Sequence, residues 1–415
     1  MKKSGKEVYR TINPDDFPED LEISFGKGPD RQTLVYRKVT WEIDGDQRGL
    51  RYGENPDQQA ALYRPVNGNL LLGDVKQIAP GRGLTTDVDL LQSGKHPGKI
   101  NITDVDAALN ILRYFTDRHA CVIVKHNNPS GVALGTGQTE AYQRALMADR
   151  IAAFGGAVAL NREVQRDTAE AIAEYYAEVV VAPEFSRGAL EVFARRKNLR
   201  VLRIGNMERL QEYVGTRFVD YKSLIDGGIV AQWSFSPRIL EEPDLAPART
   251  EYRDREYRIN REPTDAEKRD MWFGWLVESG VTSNSVIYVK EECTVSIGTG
   301  EQDRVGVARI ARDKAYWKLA DRLALESSGK GIEELSPEDQ AIYYAAAGEE
   351  QGGLPGSTMV SDAFFPFRDG AEVGLRERVS AILQPGGSVR DHEVIQACNE
   401  HDATMVFTGQ RSFRH

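Results

Sequence analysis

A lysine and a histidine stand side by side directly after a short apolar run, in Ala120-Cys121-Val122-Ile123-Val124-Lys125-His126-Asn127-Asn128-Pro129-Ser130-Gly131. The run is rich in β-branched residues and contains no charged one, which suits a strand buried on both faces of a parallel sheet. Ligands of such sheets collect beyond the carboxyl ends of the strands, where Lys125 and His126 emerge together. Histidine titrates near neutrality and partial desolvation lowers a lysine pKa, so the pair can supply a general base and an oxyanion-stabilising cation side by side. That chemistry fits acyl transfer. The same residues also read as a turn in which Asn128-Pro129-Ser130-Gly131 reverses the chain while Lys125 faces water.

Four further clusters hold residues of chemical use. Arg51-Tyr52-Gly53-Glu54-Asn55-Pro56 sets a guanidinium beside a phenol and a glycine turn, a combination that can grip a phosphate through several donors, although Arg-Tyr before a turn is also ordinary surface. Gly298-Thr299-Gly300-Glu301-Gln302-Asp303-Arg304 places glycines after a strand and before a helix; it is neither GxGxxG nor a Walker loop, and a plain tight turn explains it as well. Ser361-Asp362-Ala363-Phe364-Phe365-Pro366-Phe367-Arg368-Asp369 concentrates aromatics that can stack on a flat heterocycle while Asp369 accepts from ring N–H groups; packing of the phenylalanines into the core is the alternative. The last stretch, Phe407 to His415, is aromatic and basic after an apolar strand, which points to a docked end.

The elements that must position these clusters alternate along the chain. The first 48 or so residues are polar and turn-rich, with one alternating stretch, Leu34 to Ile43, that reads as an edge strand or hairpin. Thr103 with Asp106 has the spacing of a capping box, and Val105, Ala108, Leu109, Leu112 and Phe115 recur at helical spacing behind it. Helical patterns near 139–150, 167–177 and 186–197 interleave with apolar strands near 156–160, 179–182 and 199–204, the βαβ order of a parallel sheet. The charged stretch 206–262, with Gly227-Gly228 and several prolines, reads as a boundary between halves. Beyond it, Thr264 with Glu267 caps a second long helix. Strands follow near 284–290 and 293–297, then a helix from about 305, a Gly/Pro-rich loop at 352–357, and strands near 380–384 and 403–407. The second half thus repeats the architecture of the first without a repeat visible in the residues themselves.

Composition bounds the function. At 415 residues the chain has room for two or three cores, and 40% hydrophobic with 28% charged residues is the balance of a folded globular protein. A net charge of −10 opposes general attraction to nucleic acid or anionic membrane, while a local basic pocket can still bind one phosphate. Three cysteines without a CxxC spacing fit a reducing cytoplasm and argue against a structural zinc site. No apolar run reaches the ~20 residues of a membrane span.

RYGENP at 51–56, KHNNPSG at 125–131, FGGAVAL at 154–160, SNSV at 283–286, SDAFFPFRD at 361–369, QPGGSVRD at 384–391 and TGQRSFRH at 408–415 together resemble the signature set of the AICAR transformylase family, in that family's order, from about residue 49 onward. The resemblance implies two tandem cytidine-deaminase-like α/β/α units, over 49–255 and 256–415, after an N-terminal extension of residues 1–48. It implies transfer of a formyl group from 10-formyltetrahydrofolate to the 5-amino group of AICAR, in a homodimer with shared sites. Carried over motif by motif, Lys125 and His126 are the catalytic pair. Arg51, Tyr52 and Arg411 hold the nucleotide phosphate, and Phe154, Gly155, Glu178, Asn284, Arg304 and Phe364 frame the imidazole and ribose. Pro366, Phe367 and Asp369 meet the folate.

The deaminase zinc signature is absent, so the resemblance implies no catalytic metal and leaves room for a structural monovalent cation. Asp57 stands where the family often has His, and Ser130 where many members have Cys; neither belongs to the catalytic pair. About 48 residues precede RYGENP, fewer than the cyclohydrolase domain that normally lies there. The expectation is a chain without IMP cyclohydrolase activity, working beside a separate cyclohydrolase.

Overall fold

A computed structural model describes residue 12 and residues 14–68, 71–72, 75–76, 83–242 and 245–415. The described residues form two compact units, one drawn from within 12–119, 124–127 and 154–236, the other from within 120–123, 128–153 and 237–415.

In chain order the principal elements begin with strand β1 (Asp89–Gln92), helix α1 (Lys99–Leu112), β2 (His119–Lys125), β3 (Asn128–Gly135) and α2 (Gln138–Ala148). They continue with β4 (Ala157–Leu160), α3 (Arg166–Glu174), β5 (Val179–Ala182), α4 (Arg187–Phe193) and β6 (Arg200–Arg203). Then follow α5 (Asp265–Glu278), β7 (Val286–Lys290), β8 (Cys293–Gly298), α6 (Arg304–Ser328), α7 (Pro337–Glu349), β9 (Thr358–Ser361), α8 (Arg368–Leu375), β10 (Ala381–Gln384), α9 (Asp391–Glu400) and β11 (Thr404–Phe407). From α1 to β6 and again from α5 to β11 the order is helix, two strands, then alternating helix and strand. The short helix Arg150–Ala153 interrupts the match in the first run, and α7 with the 3-10 turns Ile332–Glu334 and Gln351–Gly353 in the second.

The expected parallel strands form: β4 pairs parallel to β5 and β5 to β6, with Val158 opposite Val180 and Val180 opposite Val201. In the second unit β9, β10 and β11 pair parallel in the same way. The fold is nevertheless a mixed α/β one. Strand β1 runs antiparallel to β6, and β7 runs antiparallel to both β8 and β9. Strand β2 is followed by β3 after only His126 and Asn127, and β7 by β8 after only Glu291 and Glu292; all four turn residues have positive φ, at 55°, 61°, 54° and 55°. Two residues reverse a chain, whereas a parallel return needs a crossover of a dozen or more, so each pair is a hairpin. Residues 128–131 are therefore strand, not the turn that Asn-Pro-Ser-Gly suggests; the reversal comes two residues earlier.

Helix α1 starts four residues before Thr103. Its N-cap is Gly98, whose N–H donates to Asn101 Oδ1 at 3.0 Å, while Thr103 Oγ1 bonds back to Ile100 O inside the helix. A three-residue spacing marks one helical face as well as a cap, which is why Thr103 and Asp106 mislead. The cap of α5 is as expected: Thr264 Oγ1 accepts from Glu267 N, and Glu267 Oε2 accepts from Thr264 N at 2.8 Å. The alternating stretch 34–43 is divided between strand Gln32–Lys38, paired with Asp20–Phe25, and the short strand Trp41–Ile43. Among the described residues no helix is long and apolar enough to cross a membrane.

Candidate active site

Lys125 is the last residue of β2, and its Nζ donates to Phe154 O at 2.8 Å. His126 opens the two-residue turn with its side chain exposed. Beneath the turn lies Asp104 of α1, 5% exposed, whose Oδ1 accepts from Asn127 N at 2.7 Å. Burial pushes the Asp104 carboxyl up to about 6, against the pull of the Asn127 N–H, the nearby His126 ring and the His126 N–H; Glu178 adds to the rise.

Glu178, just before β5, joins this turn to a basic cluster. Its Oε2 accepts from Asn101 Nδ2 at 3.2 Å and from Arg200 Nη1 at 3.3 Å. Arg200 is completely buried and also donates through Nε and Nη2 to His96 O, both at 3.3 Å. Arg51, also buried, donates from Nη1 to Lys95 O at 3.2 Å and lies 4.4 Å from the centre of the Tyr52 ring. Burial lowers the pKa of both guanidinium groups, and Glu178 opposes the shift in each; Arg51 lowers that of Arg200 as well. Two desolvated cations near a single carboxylate leave positive charge for an anion to compensate.

Gly155 completes the neighbourhood. Its N–H donates to Tyr176 O at 2.8 Å, Glu178 N donates to Gly156 O at 3.0 Å, and at φ 76° the position favours glycine. Phe154 is half-exposed and packs on Tyr176 with ring centres 4.9 Å apart. The first unit therefore gathers Arg51, Tyr52, Lys125, His126, Phe154, Gly155 and Glu178 into one connected region. It adds Asp104, Asn101 and Arg200, which the sequence reading does not include. Asn101 and Asp104 sit one helical turn apart after His96-Pro97-Gly98, a helix-start signal that could have located them; Arg200 carries no local signal.

The second unit holds the other predicted residues. Arg304, first residue of α6, pairs through Nη1 with Asp362 Oδ1, and donates to Ser285 O at 3.0 Å and Ser361 Oγ at 3.2 Å. Its Nη2 donates to Asn284 Oδ1 at 2.9 Å, which leaves the Asn284 amide N–H groups as that side chain's donors. Asp362, fully buried, also accepts from Ser283 Oγ at 2.5 Å and Ser285 N at 3.1 Å. Glu278 is buried behind it and accepts from Ser285 Oγ at 2.7 Å; burial and then the charge of Asp362 hold its carboxyl well above the usual range, against Ser285 and Arg304.

The aromatic segment divides. Phe365 is core, whereas Phe364 and Phe367 are 38% and 52% exposed and Pro366 and Asp369 are exposed with them. The Arg390 guanidinium lies 4.9 Å from the centre of the Phe367 ring. Residues 412–414 are docked, with Ser412 N donating to Asp362 O at 3.0 Å and Ser283 N to Arg414 O at 2.9 Å; Arg411 is exposed, 4.2 Å from the centre of the Phe413 ring. Of the glycine cluster, Gly298 is required by packing, since a methyl group there would lie 2.6 Å from Val307 O, and Gly300 turns the chain at φ 73°. Among the described residues no three His, Cys, Asp or Glu side chains converge as metal ligands would.

Fold and site define an α/β protein with two buried arginines, Arg51 and Arg200, beside a lysine–histidine turn. Residues 24–314 match the family model described as the AICARFT/IMPCHase bienzyme. The chain is similar to the bifunctional purine biosynthesis protein PurH of Persephonella marina, at 39% identity over 335 residues, 80% of this chain and 55% of the relative. It is similar to that of Magnetococcus marinus at 39% over 323 residues, 78% of this chain and 53% of the relative. The chain belongs to the AICARFT/IMPCHase bienzyme family, and it spans about half the length of the curated relatives it matches.

Proposed function

We propose that this chain carries out a formyl-transfer step of purine biosynthesis, moving a formyl group from 10-formyltetrahydrofolate to the 5-amino group of AICAR. The observation that carries the reading is the Lys125–His126 turn, tied through Asp104 and Glu178 to the desolvated Arg51 and Arg200. An amine conjugated to an electron-poor imidazole carboxamide is a weak nucleophile, so proton removal and charge stabilisation must accompany attack. The amine nitrogen bonds to the formyl carbon as the bond from that carbon to the folate nitrogen breaks. His126 takes the amine proton, and Lys125 stabilises the oxyanion and gives a proton to the departing folate nitrogen, the proton held by His126 restoring the balance. Arg51 and Tyr52, with Arg411, hold the phosphate; Phe154, Gly155, Glu178, Asn284, Arg304 and Phe364 frame the base and sugar. Exposed Phe367 and Pro366 offer a face for the pterin, and Asp369 accepts from its N–H groups.

The matching order of elements in α1–β6 and α5–β11 supports a reading as tandem cytidine-deaminase-like units over residues 49–255 and 256–415, behind the extension 1–48. Homodimerisation with shared sites and a cytoplasmic location are part of the same proposal.

The test is turnover of purified protein with AICAR and 10-formyltetrahydrofolate, following the absorbance of released tetrahydrofolate and identifying products by mass. Wild type forms formyl-AICAR, and His126→Ala loses roughly 10²- to 10⁴-fold in kcat, the usual contribution of a general base. An inactive wild type, or a fully active His126→Ala, refutes the proposal. Following the product on to IMP measures ring closure in the same experiment.

A further inference from the structure

We propose that Asp104 is a positioning residue for the reaction: from helix α1 it holds the backbone of the His126–Asn127 turn and thereby sets the direction of the His126 imidazole. The inference rests on the formyl-transfer reading for what the imidazole does, and on geometry alone for how it is held.

His126 and Asn127 have φ of 55° and 61°, the left-handed region that a side chain with a Cβ disfavours. Two-residue hairpins usually recruit glycine there, and neither position has one. Something else must compensate. Asp104 accepts from Asn127 N at 2.7 Å, and the His126 N–H also acts on the same carboxyl. The acid is nearly inaccessible to water, so its oxygens depend on these donors.

The second half of the chain contains the same device. Glu291 N and Glu292 N donate to Asp270 Oδ2 and Oδ1 at 3.0 and 2.7 Å, and Glu291 and Glu292 stand at φ 54° and 55°. Asp104 and Asp270 are each the sixth residue of their helix, counted from Lys99 and Asp265. In both of these hairpins a buried helical aspartate accepts from the N–H groups of a glycine-free turn. In the first copy the turn carries an imidazole, and in the second it carries two glutamates. The repeat supplies an internal control for what is structural.

Charged groups facing Asp104 come from outside its own helix: His126 on the turn, and Glu178 just before β5, itself engaged by Arg200. Their balance with burial places the Asp104 titration at about 6, within reach of experiment. Above that pH the carboxylate carries its full charge toward these donors; below it one oxygen carries a proton.

Two measurements test the assignment. In wild-type protein labelled with ¹³C at aspartate and ¹⁵N at asparagine, the Asp104 carboxyl signal should titrate with a midpoint near pH 6 and the Asn127 amide should share that step, which Asp104→Asn should remove. This readout does not require turnover. In the formyl-transfer assay, Asp104→Asn should lose roughly ten- to a hundred-fold in kcat, as misplacement of a reacting group by about 1 Å does, with the KM for AICAR changed less than about threefold. Asp270→Asn, which removes the equivalent anchor, should retain wild-type kcat. Equal kcat for Asp104→Asn and Asp270→Asn, or amide signals indifferent to pH near 6, overturns the proposal. A wild type that transfers no formyl group overturns the catalytic reading instead, while the amide titration still decides whether Asp104 anchors the turn.

Discussion

Replacing Arg304 by methionine should cost the second unit about 3–5 kcal/mol, the range found when one partner of a buried ion pair is removed. Three features of the site set that magnitude. Asp362 is fully buried, so its carboxylate cannot regain water when the guanidinium goes. It would keep only Ser283 Oγ and Ser285 N as neutral donors, and Glu278 already lies close enough for their charges to oppose each other. Arg304 also holds Ser285 O, Ser361 Oγ and Asn284 Oδ1, so those acceptors lose a donor too. In a unit of about 200 residues, where 1 kcal/mol corresponds to roughly 2–4 °C, the expected fall in Tm is roughly 6–20 °C. The assay is a double-mutant cycle by thermal unfolding, with Arg304→Met, Asp362→Asn and both together. The double variant should lose at least about 2 kcal/mol less than the two single losses added, because no buried charge is left alone. Strict additivity, or a single-variant loss under about 1 kcal/mol, refutes the reasoning. Freed from Arg304, the Asn284 amide can rotate, so KM for AICAR should also rise in the single variant.

Glu278 yields a pH prediction. Its folded pKa is raised, so its contribution to stability is complete below the ordinary glutamate pKa and is lost as pH rises toward the folded value; the Tm of Glu278→Gln relative to wild type should climb from pH 5 to pH 8, and a flat difference would contradict the assignment. Gly131→Ala should abolish folding or cost more than about 3 kcal/mol, since the added methyl group would lie 1.9 Å from Ala145 O on helix α2; yield and thermal unfolding measure it. Thr264→Ala should cost about 1 kcal/mol in thermal unfolding, because it removes the acceptor for Glu267 N at the start of α5.

Much of the frame is legible in the residues because it is encoded over short distances. The continuous apolar runs of β2, β4 and β5 read as buried strands, and each is buried. Thr264 and Glu267 read as a cap and form one. The strand β3 is hidden by Pro129 and Gly131, which mark a loop in most contexts. Here Gly131 is what lets helix α2 approach the strand. The hairpin turns at 126–127 and 291–292 are hidden for a related reason: without glycine, His-Asn is only a weak sign of a left-handed backbone and Glu-Glu is none.

Sequence by itself determined which side chains stand at the strand ends and in what order, since motif spacing and hydrophobic period are properties of neighbours in the chain. It could identify Lys125 and His126 as a pair for that reason. Tertiary structure alone decided what surrounds them. Asp104 meets the turn across 23 positions, Arg304 meets Asp362 across 58, and Arg200 closes on His96 across 104. Such pairings depend on desolvation: a carboxylate or guanidinium excluded from water must find its partner wherever the fold brings one, and no local pattern records that choice.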